Sequence, residues 1–123
     1  MSEERQFSPD DANRLIPELT ESLGRIKDAR QVILAGGERL RRSASLNGGG
    51  GVTSEYWDAL TTLRQEVESL SAQGIILRDP ESGLVDFPGR VDGEEVFLCW
   101  RLGEDRVAWW HGPESGFAGR RPL

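Results

Sequence analysis

Leu70-Ser71-Ala72-Gln73-Gly74-Ile75-Ile76-Leu77-Arg78 is the stretch where the apolar pattern of this chain changes period. Before it, Tyr56, Leu60, Leu63, Val67 and Leu70 recur at alternating steps of four and three residues, the seam of a helix that packs on another helix. After it, short runs with a period of two are separated by turn residues, the pattern of strands. Gly74 marks the boundary. Glycine tolerates the left-handed conformation that closes a helix, and Ile75 can fold back over Leu70 as in a Schellman motif. A helical half followed by a strand half predicts the α+β class.

Working towards the N-terminus, the seam belongs to a helix over 53–73, capped by Thr53 or Ser54. Burying its five seam residues is worth about 1.5–3 kcal/mol each as an upper bound. The run Asn47-Gly48-Gly49-Gly50-Gly51 reads as a flexible connector over 46–52 that lets the chain reverse. A first helix is expected over 9–45. Ser8 caps it, Pro9 fits its first position, and Asp10 and Asp11 complement its positive end. Asp11 also completes a capping box with Ser8, and Phe7 can staple onto Ala12. Leu15, Ile16, Leu19, Leu23, Ile26 and Ile33 form one face. Pro17 interrupts the pattern, so a bend is expected near Asn13–Leu15. Gly36-Gly37 is a second weak point. At the helical rise the two helices measure about 55 Å and about 30 Å. Either the longer one breaks at Gly36-Gly37, or its end overhangs the antiparallel hairpin and wants a partner.

Towards the C-terminus, strands are expected at Ile75–Arg78, Leu84–Pro88, Glu95–Leu102 and Arg106–His111, a four-stranded antiparallel meander over 75–111 followed by a tail over 112–123. Reading Asp92-Gly93 as a type I′ turn opposes Phe87 to Leu98, Val85 to Trp100 and Asp86 to Cys99. Reading Gly103-Glu104 as a type II′ turn opposes Trp100 to Val107, Leu98 to Trp109, Phe97 to Trp110 and Cys99 to Ala108. One face then holds Val85, Phe87, Val96, Leu98, Trp100, Val107 and Trp109, with His111 at its edge, and seats the helices. The other holds Leu84, Asp86, Phe97, Cys99, Ala108 and Trp110. This second face is too apolar to face water. The tail with Phe117, a second subunit or a ligand is expected to cover it.

Bulk properties narrow the function. A chain of 123 residues suits one domain over 1–123 and can bury a core without staples. A net charge of −6 argues against nucleic acid and against anionic membrane surfaces. The single cysteine, Cys99, excludes an internal disulfide and a multi-cysteine zinc site. Met1-Ser2-Glu3-Glu4 lacks the features of a signal peptide, and no apolar run is long enough to span a bilayer. A cytoplasmic location is expected.

Several strings in the second half carry a resemblance: Gly83-Leu84-Val85-Asp86-Phe87-Pro88, Leu98-Cys99-Trp100-Arg101-Leu102-Gly103-Glu104, Trp110-His111 and Gly116-Phe117-Ala118-Gly119-Arg120. With the Phe7–Leu19 segment and the Gly74 region, they resemble an uncharacterised prokaryotic family of unknown function, number 2203. The resemblance spans most of the chain, the glycine connector excepted. It implies a bacterial or archaeal cytoplasmic protein and carries over no catalytic residue.

Candidate chemistry lies in the second half. Asp86, Glu104, His111 and Glu114 are residue types that bind hard or borderline divalent metals. The one histidine and the lack of a ligand spacing leave Glu104, His111 and Glu114 as candidates without a motif. The expected register also sets Asp86 and His111 on opposite faces. Cys99 would need His111 as its base, and the same register separates them, so Cys99 reads as a small core residue. Trp110, His111, Phe117 and Arg120 could form an aromatic wall with a cation for a small anionic or planar ligand, or pack as core with Arg120 paired to Glu104 or Asp86. Candidate ligand-binding residues are therefore Asp86, Glu104, Trp110, His111, Phe117 and Arg120. No motif indicates a cofactor, and Arg39, Arg41 and Arg42 read as a solvated helix end. The expected function is a homodimeric, non-enzymatic binding or assembly module. The alternative is a small-ligand or divalent-metal site at the sheet edge, open to hydrolytic chemistry.

Overall fold

The structure, a computed structural model, describes residues 5–47 and 53–123. Met1–Glu4 and residues 48–52 of the expected connector lie outside the described residues. Ser8 accepts the Asp11 N–H and Asp11 accepts the Ser8 N–H, the reciprocal pair that opens α1 (Pro9–Arg14). Leu15 ends α1, and α2 (Ile16–Asn47) begins with Pro17 in its first turn. Proline has no N–H to offer and crowds the carbonyl four residues back, so the bend expected near Asn13–Leu15 is a break between two helices. Beyond it, α2 runs 32 residues without a break at Gly36-Gly37.

Thr53 caps α3 (Ser54–Ala72) by accepting the Tyr56 N–H. Gly74 has φ 84° and the Ile75 N–H reaches the Leu70 carbonyl at 3.0 Å, completing the Schellman closure. Glu66 on α3 meets Ser22 and Arg25 of α2, while Tyr56 meets Gly36, so the two helices run antiparallel. A Cβ at Gly36 would run into the Tyr56 ring; the glycine lets the helices approach. No helix among the described residues is long and apolar enough to cross a membrane.

Among the described residues the sheet has five strands, not four: β1 (Ile76–Asp79), β2 (Leu84–Val91), β3 (Glu94–Arg101), β4 (Trp109–His111) and β5 (Arg121–Pro122), antiparallel and in that order. The β2–β3 register is the one read from Asp92-Gly93, with Phe87 opposite Leu98, Val85 opposite Trp100 and Asp86 opposite Cys99. Both turn residues have positive φ, 51° and 82°, as a type I′ turn demands. β2 passes through Pro88 because its carbonyl, accepting from Phe7 N–H at 2.7 Å, faces away from β3, so the missing N–H costs no ladder bond.

The β3–β4 register differs from the expected one by one residue. Phe97 opposes His111, Leu98 opposes Trp110 and Cys99 opposes Trp109. The turn closes one residue early: the Glu104 N–H bonds the Arg101 carbonyl, placing Gly103 (φ 102°) third in the turn rather than second. Positive φ in that position is type II chemistry, which does not lead back into a ladder. The chain loops out instead. Trp100 Nε1 bonds the Glu104 carbonyl at 3.1 Å, and the Val107 N–H bonds Asn13 Oδ1 at 2.7 Å. A slip of one residue moves every β4 side chain to the other face. Trp110 therefore turns to the core side, and Trp109 and His111 turn to the outer side. The opposite-face placement of Asp86 and His111 is overturned.

The core lies between the helices and the inner face. Val85, Phe87, Leu98 and Trp100, each at most 1% exposed, pack with Leu19, Leu23, Ile26 and Leu70, and Phe7 meets Phe87 edge-on at 5.2 Å. The outer face is closed within the chain over much of its area. Arg78 lies over Phe97, Arg120 lies over Trp109, and the 3₁₀ turn Phe117–Gly119 borders it.

Candidate functional site

Three neighbouring strands bring Asp86, Cys99 and His111 together on the outer face. Asp86 and Cys99 are cross-strand partners, and His111 lies diagonal to Cys99 through the Phe97 pair. Their donor atoms all lie within 4.8 Å of one another, and the residues are 1%, 1% and 3% exposed. Asp86 Oδ2 accepts from Arg78 Nε at 2.8 Å and faces His111 Nε2 at 2.9 Å. Its other oxygen, Oδ1, is buried and has no hydrogen-bond partner. Such an orphan costs about 1–3 kcal/mol in a protein interior.

The histidine is held at both nitrogens. Nδ1 lies 2.8 Å from the Gly112 carbonyl, which only accepts, so Nδ1 carries a proton. Nε2 then shares a single proton with Asp86. Burial, and after it the Asp86 carboxylate, push the Cys99 thiol up to about 11, against the opposing pull of Arg120, whose Nη1 is 3.9 Å from Sγ. Neither His111 nitrogen is free to deprotonate this thiol, so the arrangement is not that of an activated cysteine nucleophile.

A cleft of about 330 Å³ opens onto these residues. Arg78, Leu84, Glu114 and Phe117 line its walls. Beside it, Glu104 and Arg120 form a fork with two bonds of 3.1 and 2.8 Å. Burial raises the Glu104 pKa, but hydrogen bonds from Arg120 and from the Arg101 N–H outweigh it, and the carboxyl ends below its ordinary value. Arg120 is raised in turn, chiefly by Glu104, and its guanidinium lies 4.4 Å from the Phe117 ring centre and 4.8 Å from that of Trp109.

A family model described as an uncharacterized conserved protein, DUF2203, matches residues 5–123. The chain belongs to the DUF2203 family. The match takes in the helices, the whole sheet and every residue of the cleft. No curated protein and no solved structure matches the chain.

In this DUF2203 chain the candidate residues sort by place. Asp86 and His111 come together, and Glu114 and Phe117 stand on the cleft wall. Glu104 and Arg120 are engaged with each other next to Cys99, while Trp110 packs against the core. Arg78 was not legible as a site residue. Its reach to Asp86 depends on the β1–β2 register, in which Ile76 opposes Asp86 and a bulge falls between Leu77 and Asp79. Cys99 joins the site only once the β4 parity is known. The one available signal was its cross-strand pairing with Asp86.

Proposed function

We propose that this DUF2203 protein is a small, non-enzymatic binding module that holds a ligand in the outer cleft of its sheet. The observation that carries this reading is a buried Asp86 with an unpartnered oxygen, converging with Cys99 and His111 on the floor of an open cleft. A site required only for stability would favour apolar residues here, because buried polar groups without partners are costly. Arg78, 45% exposed along its side chain, binds Asp86 through Nε, which leaves its terminal nitrogens to meet an anionic group at the cleft wall. Native mass spectrometry of freshly purified protein tests the reading. Retained mass that disappears in His111→Gln supports it; a bare protein that binds nothing from a panel of small anions and divalent ions removes it.

A second reading, self-association, has its own observation. On α3, Trp57 (57% exposed) and Val67 (37% exposed) form an apolar groove with Leu60 and Leu63. A second copy of the chain would bury this groove. The sheet's outer face no longer argues for a dimer, because the chain itself covers much of it. Sedimentation equilibrium decides: a monomer at all micromolar concentrations eliminates assembly, whereas a dimer weakened by Trp57→Ala supports it.

A further inference from the structure

We infer that the ligand of the cleft is a divalent transition-metal ion of the zinc type, bound by Cys99 Sγ, His111 Nε2 and Asp86 Oδ1. This rests on the cleft being a binding site and names its occupant. The donor set sets the class. Magnesium and calcium take oxygen ligands, whereas a thiolate, an imidazole and a carboxylate together suit zinc and its neighbours. Donors sharing one tetrahedral ion at bond lengths of about 2.0–2.3 Å lie roughly 3.3–3.8 Å apart. One ligand atom from each of the three residues already lies within 4.8 Å of those of the other two, so ligation asks only for side-chain adjustment.

The surrounding contacts are those a metal site needs. A ligating histidine donates its other N–H to a carbonyl or carboxylate, and His111 Nδ1 donates to Gly112. A ligating carboxylate is steadied through its second oxygen, and Arg78 holds Asp86 Oδ2. The Asp86–His111–Arg78 network could serve as structure alone. That role leaves Oδ1 without a hydrogen bond, with only the weak thiol donor of Cys99 beside the carboxylate. A divalent ion takes Oδ1 as a ligand and displaces to solvent both the thiol proton and the proton shared by His111 Nε2 and Asp86, leaving two anionic donors for two positive charges. Three protein ligands leave a fourth position, which water or Glu114 on the cleft wall can fill.

Cobalt(II) is the probe, added to protein dialysed against a chelator. Expected are a thiolate-to-cobalt charge-transfer band in the near ultraviolet and tetrahedral visible bands, both saturating at one equivalent and both displaced by zinc. The chain has one cysteine, so the band in the wild-type protein already identifies Cys99. Cys99→Ser should abolish it. His111→Gln should weaken cobalt binding by at least ~100-fold, the upper end of what loss of an outer-shell partner costs. Wild-type protein without the band, and without stoichiometric heat on zinc titration, overturns the metal assignment. If native mass spectrometry then finds an organic mass that His111→Gln removes, the cleft reading survives and only the metal falls. If it finds none, both fall.

Discussion

Glu104 shows how much one side chain's surroundings decide. It accepts two bonds from Arg120 and one from the Arg101 N–H, and its pKa lies below the ordinary 4.5. A depressed carboxylate stabilises the fold fully above its unfolded pKa and loses that contribution as the pH falls through the folded value. Glu104→Gln should therefore cost about 1–2 kcal/mol at neutral pH, between the worth of an exposed ion pair and that of a charged hydrogen bond. Thermal melts should show the wild-type advantage shrinking as the pH drops below about 4.5. A gap that stays constant across that range would mean that the loss is packing rather than charge. The pairing of Arg120 with Glu104 was one of two partners readable from the sequence. Which one was chosen depended on the turn at Gly103, because that turn curls Glu104 back over β3 towards the tail.

Among the elements, the two glycines of α2 make opposite predictions. Gly37 has nothing within 4 Å of an added Cβ, so Gly37→Ala should stabilise the helix by up to ~1 kcal/mol. Gly36→Ala would drive a methyl into the Tyr56 ring and should destabilise by about 1–3 kcal/mol as the helices part. Urea melts of the two variants check the pair, and equal shifts would show that the helices do not pack closely at that point. Sequence propensity treats both glycines alike, as weak points. Only the approach of α3 tells them apart, which is why a break at Gly36-Gly37 stood as an alternative. The strand elements divide in the same way. Asp92-Gly93 carries its whole geometry in two adjacent residues, so the β2–β3 register was legible. The β3–β4 connection is held open by Asn13, 94 residues away from Val107, and its register was not. Asn13→Ala should cost about 1–3 kcal/mol by leaving the half-buried Val107 N–H without its acceptor. Hydrogen exchange should quicken at Val107 first; unchanged exchange there would mean that the loop holds its shape without α1.

At the scale of the molecule, the helical layer seats one face of the sheet, and the other face carries the candidate site. Ligand binding to the folded state alone raises its stability by mass action. Zinc at a hundredfold over its dissociation constant should add about 2.7 kcal/mol, roughly 10 °C in Tm for a chain of this length. The rise should be absent in Cys99→Ser, and a rise of equal size in that variant would place the ion elsewhere.

The local chemistry of the sequence determined the α+β class, the capping of α1 and α3, the break ahead of Pro17, the Gly74 closure and the pairing of Asp86 with Cys99. Each of these rests on residues within a few positions of one another, or on a hairpin whose two turn residues dictate its twist. The tertiary structure decided the face of β4, the fifth strand and the partner of Arg78. The first two depend on a loop whose path is set by α1 and on a tail that returns to the sheet edge, where the Leu123 N–H bonds the Ala108 carbonyl, and the third on the bulge in the β1–β2 register. Strand side chains alternate with a period of two, so that single undecided residue moved His111 from the helical face to the side of Asp86 and Cys99.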